Sequence, residues 1–516
     1  MAVLLPVFAA ACMSGAPTQK ELKASFVGGV VVDEPRAALA GLAALKAGGT
    51  AADAAAATFF SLAVTYPLAA GLAGGGTCVT YDVVTGTSES IDFRPSEGAL
   101  GGAVALPGAV RGIAALHARF GRLRWSQVVL PAEEMARFGF PTSRALATAT
   151  AEYARTTGAG DLGPFIVAGR PVEEGQDVRL PGLAETLSGI RTKGGGDFYF
   201  GVLARDLVGA AQEAGGRLTI DDLKQFLPAW QRSARTPYGD LSLFTPASGP
   251  SGGTAAASMW AMLTEQGRFL QTTPSQRPHL FVETSLRALV DRVEGGDSSA
   301  FRAATLLSDY DPSRHVAVAS QAPDLSPWIG AGRDGTTGFV ALDAAGSAVA
   351  CVLTMNAPFG QGRFNARLGL FFAPPLPSGP DGWLRGGTDF ATPAIVANAV
   401  TGEFVIGATG TGGPAAPAAT MSAISAAVLE LSSLRQAVDR PRVVGFPEPD
   451  VAVFERGTPA EIVNALQAAG HRLVDGGQFS IVNAILCFGG ATLDPSGCQF
   501  VADGRGFGLG DGGIEF

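Results

Sequence analysis

Apolar positions change period repeatedly along this chain. Near the N-terminus SFVGGVVVD reads as a strand. PRAALAGLAALKAGG follows with Ala and Leu at helical spacing, Pro35 in front and Gly48-Gly49 behind, which brackets a helix. Thr50 is the expected N-cap of a second helix, TAADAAAATFFSLAVTY, which Pro67 ends. So much alanine predicts close packing, and Asp53 in the first turn suits the helix dipole, a capping task in preference to a catalytic one. GLAGGGTCVTYDVVTGTSESIDFR predicts a glycine cluster leading into alternating strands. Residues 108–145 and 180–230 read as mostly helical, and 250–330 mixes helix and loop. Further on, AIVANA and EFVIGATG read as a strand pair, AATMSAISAAVLELSS as a helix, and FSIVNAILCFGG and CQFVADGRGFGLG as two last strands. No fixed period runs through this order, which argues against a solenoid. Strands near both ends with helices between predict one layered α+β unit.

One hairpin carries chemistry. Thr336–Asp343 and Ser347–Asn356 are two strand-like runs joined by Ala344-Ala345-Gly346, with Gly where a left-handed turn residue is wanted. If Asp343 faces Ser347, Thr336 lies opposite Thr354, with Cβ atoms about 5 Å apart on one face. Asn356 follows on that face. Cross-strand threonine pairs are common in sheets, but Gly335 ahead of Thr336 permits backbone distortion and close approach. Attack of Thr336 on the Gly335 carbonyl would convert the peptide to an ester, and hydrolysis would leave Thr336 with a free α-amine. Such an amine has a pKa of about 7.7–8.0 and can take the hydroxyl proton near neutral pH. A threonine so placed needs no histidine.

Composition narrows the alternatives. The 516 residues are 47% hydrophobic and 16% charged, which is globular. A net charge of −9 argues against nucleic acid as a partner. The four histidines, His117, His279, His315 and His471, are isolated in the sequence, so a zinc site or Ser-His-Asp triad is poorly supported. No metal or organic cofactor is implied. Cys487 and Cys498 flank a hairpin-like loop and can pair in an oxidising compartment, whereas Cys78 and Cys351 read as buried thiols. The first 25 residues resemble a signal or lipoprotein leader, with Cys12 as the lipidated residue. That reading predicts a periplasmic or cell-envelope location; if the apolar start is not a signal, the location is cytoplasmic.

The motifs AALAGLAALKAGGTAADAAAA (37–57), AGLAGGGTCVTYD (70–82), IDFRP (91–95), ALPGAVRGIAALHARFGRLRW (105–125), LPAEEMARFGFP (130–141) and TTGFVALDAAGSAVACVLTMNAPFGQG (336–362) occur in one order. Together they resemble the gamma-glutamyltranspeptidase family of N-terminal-nucleophile hydrolases. The resemblance implies a four-layer αββα sandwich made from a precursor. Its large fragment would be 26–335 and its small fragment 336–516, staying associated after a cut at the Gly335–Thr336 junction. It implies Thr336 as nucleophile, Thr354 as its support, and Asn356 beside the substrate amino group. Arg94 of IDFRP would hold the substrate α-carboxylate, with a structural ion pair as the alternative. GATGTGG (407–413) matches the oxyanion loop, with Gly410 and Thr411 as the preferred donors and Gly412-Gly413 as the alternative.

The chain departs from the family pattern in places. Gly338 stands where the family usually has histidine, which predicts open space beside the nucleophile. FFAPPLP, with Ala373 and Pro375, brings no acid to the amino-group pocket, and the family's paired serines appear as Asp389-Phe390. Asp389 is a candidate for ammonium binding, or a surface or capping acid. A shortened segment between them predicts a missing lid. The leading expectation is a γ-glutamyl amide donor with water or an amine as acceptor, as in glutathione hydrolysis. An acylase for another amide, such as a β-lactam side chain or a γ-linked polymer, and an uncut, non-catalytic binding relative are the alternatives.

Overall fold

The computed structural model describes residues 25–515 apart from 159, 248–251, 294–302, 319, 321–323, 330–332 and 377–386. The leader with Cys12 and the segment of the expected lid lie outside the described residues.

Two antiparallel sheets face each other. Strands in chain order are β1 (Ser25–Val32), β2 (Gly75–Asp82), β3 (Thr87–Asp92), β4 (Ala229–Arg232), β5 (Ala234–Tyr238), β6 (Leu241–Thr245), β7 (Thr336–Asp343) and β8 (Ala348–Thr354). They continue as β9 (Thr392–Asn398), β10 (Phe404–Thr411), β11 (Ile481–Cys487), β12 (Cys498–Val501) and β13 (Leu509–Glu515). Among the described residues the first sheet runs β13-β1-β7-β8-β2-β3-β4, and the second β12-β11-β10-β9-β6-β5. Each sheet therefore mixes strands from before and after residue 336.

Helices cover the outer faces. Among them α1 (Pro35–Lys46), α2 (Ala51–Thr65) and α3 (Ala109–Phe120) lie against the first sheet, and α4 (Gly252–Thr264) and α5 (Ala416–Val428) against the second. The result is the four-layer αββα arrangement. Alternation along β7 shows the layering: Phe339 and Ala341 join the core under the helices, while Val340 and Leu342 join the core between the sheets. A strand buried on both faces must be apolar throughout, which is why FVAL carries no polar position. Every residue of α2 is buried, as its alanine content predicts. Close contact is built in where a Cβ on Gly41 would fall 2.3 Å from Thr58 Oγ1. Thr50 and Asp53 form a capping box at the start of α2, so Asp53 caps as expected, and it also meets His117 Nε2 at 3.1 Å.

Two expectations need correction. Cys78 and Cys351 are bonded to each other, because the register of β2 with β8 sets them opposite, with Cα atoms 4.1 Å apart. Cys487 and Cys498 also pair, which their positions in the sequence left open. The histidines are isolated only in sequence. His279, His315 and His471 meet where Arg277–Val293 packs against a three-stranded sheet of Val443–Pro447, Asp450–Phe454 and Leu473–Asp475. His279 Nδ1 lies 2.7 Å from His471 Nε2, and His315 donates to Glu283 (2.6 Å) and Asp450 (3.0 Å). Glu283 also accepts from Arg287. His279, Glu283 and His471 each offer a ligand atom within 4.8 Å of the others, close enough to share a metal ion, and here hydrogen bonds occupy all three.

Candidate active site

The hairpin register is the one the turn predicts. Thr336 stands opposite Thr354, and Gly346 turns the loop at φ +91°. Gly335 has φ +76°, and a Cβ there would lie 2.3 Å from the Ala357 carbonyl carbon. Only glycine fits ahead of Thr336. The Gly335 carbonyl oxygen accepts from Met355 N–H at 2.9 Å and from the Thr354 hydroxyl at 3.4 Å. Two donors therefore converge on the carbonyl that Thr336 follows.

Asn356 lies beyond the end of β8 with φ +60°. Its N–H donates to Thr354 Oγ1 (2.8 Å), and its side-chain amide donates to the Pro374 carbonyl (2.9 Å). The proline-rich FFAPPLP passage thus comes to the site and engages Asn356 through its backbone.

Asp334 was not visible as a site residue in the sequence. One carboxylate oxygen accepts from both the Thr336 hydroxyl and the Thr336 N–H, the latter at 3.1 Å. The other accepts from Gly413 N–H at 2.8 Å. Burial pushes the Asp334 carboxyl above the usual carboxylate range, against the opposing pull of these hydrogen bonds. Asp334 and Thr336 line a cavity of about 150 Å³ together with Glu152, Arg333, Thr411, Gly412 and Arg505. Arg333 donates to the Tyr66 hydroxyl at 2.7 Å, and Arg505 is held by Glu455 and Asp503. The one cue in the sequence is proximity: an acid two residues ahead of a strand-opening threonine can fold back on it, as Asx turns do.

The glycine loop divides at the end of β10. Gly410 lies within the strand, registered with Thr392 on one side and Val482 on the other, and Thr411 is its last residue. Gly412 and Gly413 follow at φ +104° and +69°, just ahead of α5. The Gly413 amide, one of the alternative pair, points to Asp334.

Arg94 is ion-paired. Its guanidinium binds Asp92 through Nε and Nη2 and reaches Asp389 from Nη1 at 3.1 Å. The turn Gly387–Phe390 carrying Asp389 packs against β8. Neither residue lines the cavity that holds Thr336. Gly338 does not open space: a Cβ there would fall 2.5 Å from Thr409 Oγ1 and 2.7 Å from its Cβ. The second sheet fills that position.

A sequence profile described as Gamma-glutamyltranspeptidase matches residues 37–374 and 388–508. The chain belongs to this family. Membership makes it a gamma-glutamyltransferase/hydrolase-like amidohydrolase of the N-terminal-nucleophile class. Scoloptoxin SSD14 of Scolopendra dehaani is 28% identical over 92% of each chain. The glutathione hydrolase proenzyme of Pseudomonas aeruginosa is 31% identical over 62% of each. Among solved structures, cephalosporin acylase from Bacillus halodurans superposes with a TM-score of 0.80 at 21% identity, covering 98% of this chain and 99% of the acylase. That likeness is one of fold.

Proposed function

We propose that this gamma-glutamyltranspeptidase relative cuts itself between Gly335 and Thr336. Thr336, with its new α-amine as base, then takes the acyl group of a γ-glutamyl amide such as glutathione and passes it to water or an amine. The carrying observation is the convergence on one peptide bond: Met355 N–H and the Thr354 hydroxyl on the Gly335 carbonyl, beside the Thr336 hydroxyl. Donors aimed at that oxygen stabilise the charge that forms there under attack. In acyl transfer, Gly412-Gly413 supply oxyanion donors at the cavity. The Arg94–Asp389 pair offers adjacent opposite charges to an α-amino acid zwitterion.

The fragments 26–335 and 336–516 stay together because each sheet is built from strands of both. Two disulfides favour an oxidising location, in keeping with a cell-envelope protein. The acylase reading is favoured by one feature: Asn356 already donates to the Pro374 carbonyl, where an amino-group pocket would want an acid.

Mass spectrometry of reduced protein tests the cut. Wild type should give a species beginning at Thr336, and Thr336→Ala only the uncut chain. A γ-glutamyl anilide assay then tests the donor. Cut protein inert on the anilide but active on other amides would select the acylase reading, and active wild type without the Thr336 species would defeat both.

A further inference from the structure

The α-amine that serves as base in acyl transfer does not exist until the Gly335–Thr336 bond has broken. The first proton transfer therefore needs another base, and a carboxylate stands at the spot. We infer that Asp334 is the catalytic base of self-cleavage and that it carries the proton from the Thr336 hydroxyl to the Thr336 nitrogen. This inference rests on Thr336 being the self-cleaving residue.

The geometry specifies the transfer. One oxygen of Asp334 accepts from both the Thr336 hydroxyl and the Thr336 N–H. It takes the hydroxyl proton as Oγ1 bonds to the Gly335 carbonyl carbon, and negative charge moves to the carbonyl oxygen under Met355 and Thr354. The tetrahedral carbon then expels the Thr336 nitrogen, which recovers the proton from the Asp334 carboxyl. An ester links Gly335 to Thr336 Oγ1, and the nitrogen becomes the free amine. Water hydrolyses the ester to a Gly335 carboxylate and the Thr336 hydroxyl, and the proton released is taken up by the new α-amine. Protons balance with no external acid or base, and water is the one co-reactant.

The second carboxylate oxygen adds a consequence. It occupies Gly413 N–H, so while the chain is continuous this donor is closed to substrate. Cutting leaves Asp334 next to a new chain end, free to withdraw and release that amide. One side chain thus starts the cut and holds the Gly413 amide until the cut is made.

The test follows cleavage of full-length protein over time by mass spectrometry, after purification under conditions that hold it uncut. Asp334→Asn keeps the shape and one accepting oxygen, which can still face Thr336, but it turns an NH2 toward Gly413 N–H and cannot take the proton; it should cut about 100-fold more slowly or worse. Wild-type cleavage should slow on acidification, and that dependence should vanish in Asp334→Asn; Glu152, Arg333 and Arg505 line the same cavity and remain in both proteins. Asp334→Ala should regain cleavage at least tenfold on addition of formate, which fits the cavity, whereas formate should do nothing for Thr336→Ala. A merely structural Asp334 would predict no rescue. Cutting of Asp334→Asn at the wild-type rate overturns the inference, as does slow cutting that formate leaves unchanged and that keeps the wild-type pH dependence. A wild-type chain that never cuts would instead defeat the proposed role of Thr336.

Discussion

Cys78 and Cys351 are joined across neighbouring strands that come from opposite sides of the Gly335–Thr336 bond. If the chain is cut there, this disulfide still ties the two fragments covalently. A denaturing gel without reductant should show one band from mature protein, and the same sample with reductant should show two. Two bands without reductant would mean that the bond is not formed in the mature protein.

Removing a donor from the scissile carbonyl should slow the cut. Thr354→Val keeps the volume and β-branch but loses the hydroxyl that reaches Gly335 O and accepts from Asn356 N–H. Loss of one oxyanion donor costs about 100-fold or more in comparable sites. Time-resolved mass spectrometry should show that slowing, with the fold retained by circular dichroism. Unchanged cleavage would remove Thr354 from the mechanism.

Arg94→Ala bears on donor recognition. A hydrogen bond to a charged group contributes about 1.5–3 kcal/mol, so KM for a γ-glutamyl anilide should rise roughly 10–100-fold with a smaller change in kcat. Asp389→Asn should act in the same direction through the ammonium. If KM is unchanged in both variants, the pair is a structural ion pair that supports β8 and its neighbours.

Gly338→Ala should destabilise the protein by about 1–3 kcal/mol, because the new methyl group collides with Thr409 of the facing sheet. Urea unfolding of wild type and variant measures this. A neutral result would show that the sheets can part at this point.

His315 should contribute alkali-sensitive stability. Its hydrogen bond to Glu283, against burial and helped by Asp450, raises its pKa to about 9 from an ordinary value of 6.5. A raised histidine stabilises the fold fully below about pH 6.5, and that contribution is lost as pH rises through 9. After allowance for solvent screening the loss is about 1–2 kcal/mol. Unfolding at pH 6 and pH 10 should show it in wild type and not in His315→Gln. Equal pH dependence in the two proteins would rule out His315 as its source.

Much of the site was legible because one local device fixes it. Gly346 sets the turn, and the turn sets the register of two strands that are buried on both faces. The capping of α2 was legible for a similar reason, since Thr50 and Asp53 are near neighbours in sequence. What escaped depends on contacts between distant segments. Cys78 and Cys351 are 273 residues apart, and nothing local marks them as strand partners. The histidine cluster gathers one helix, one loop and a small sheet, and Gly338 needs knowledge of Thr409 across the sheet interface. Strands β5 and β6 fell between stretches read as helix and mixed structure. Asp334 lies close by in sequence, but its meaning comes from Gly413 and from the backward turn of its own side chain.

In the first sheet, the last strand, β13, pairs with the first, β1, and β1 in turn pairs with β7, which begins at Thr336. The ribosome must therefore finish the whole polypeptide before that edge can close. If the proposed scission after residue 335 needs that edge closed, it is a late event in biogenesis, and a new amino terminus would report that the far end of the chain has come home.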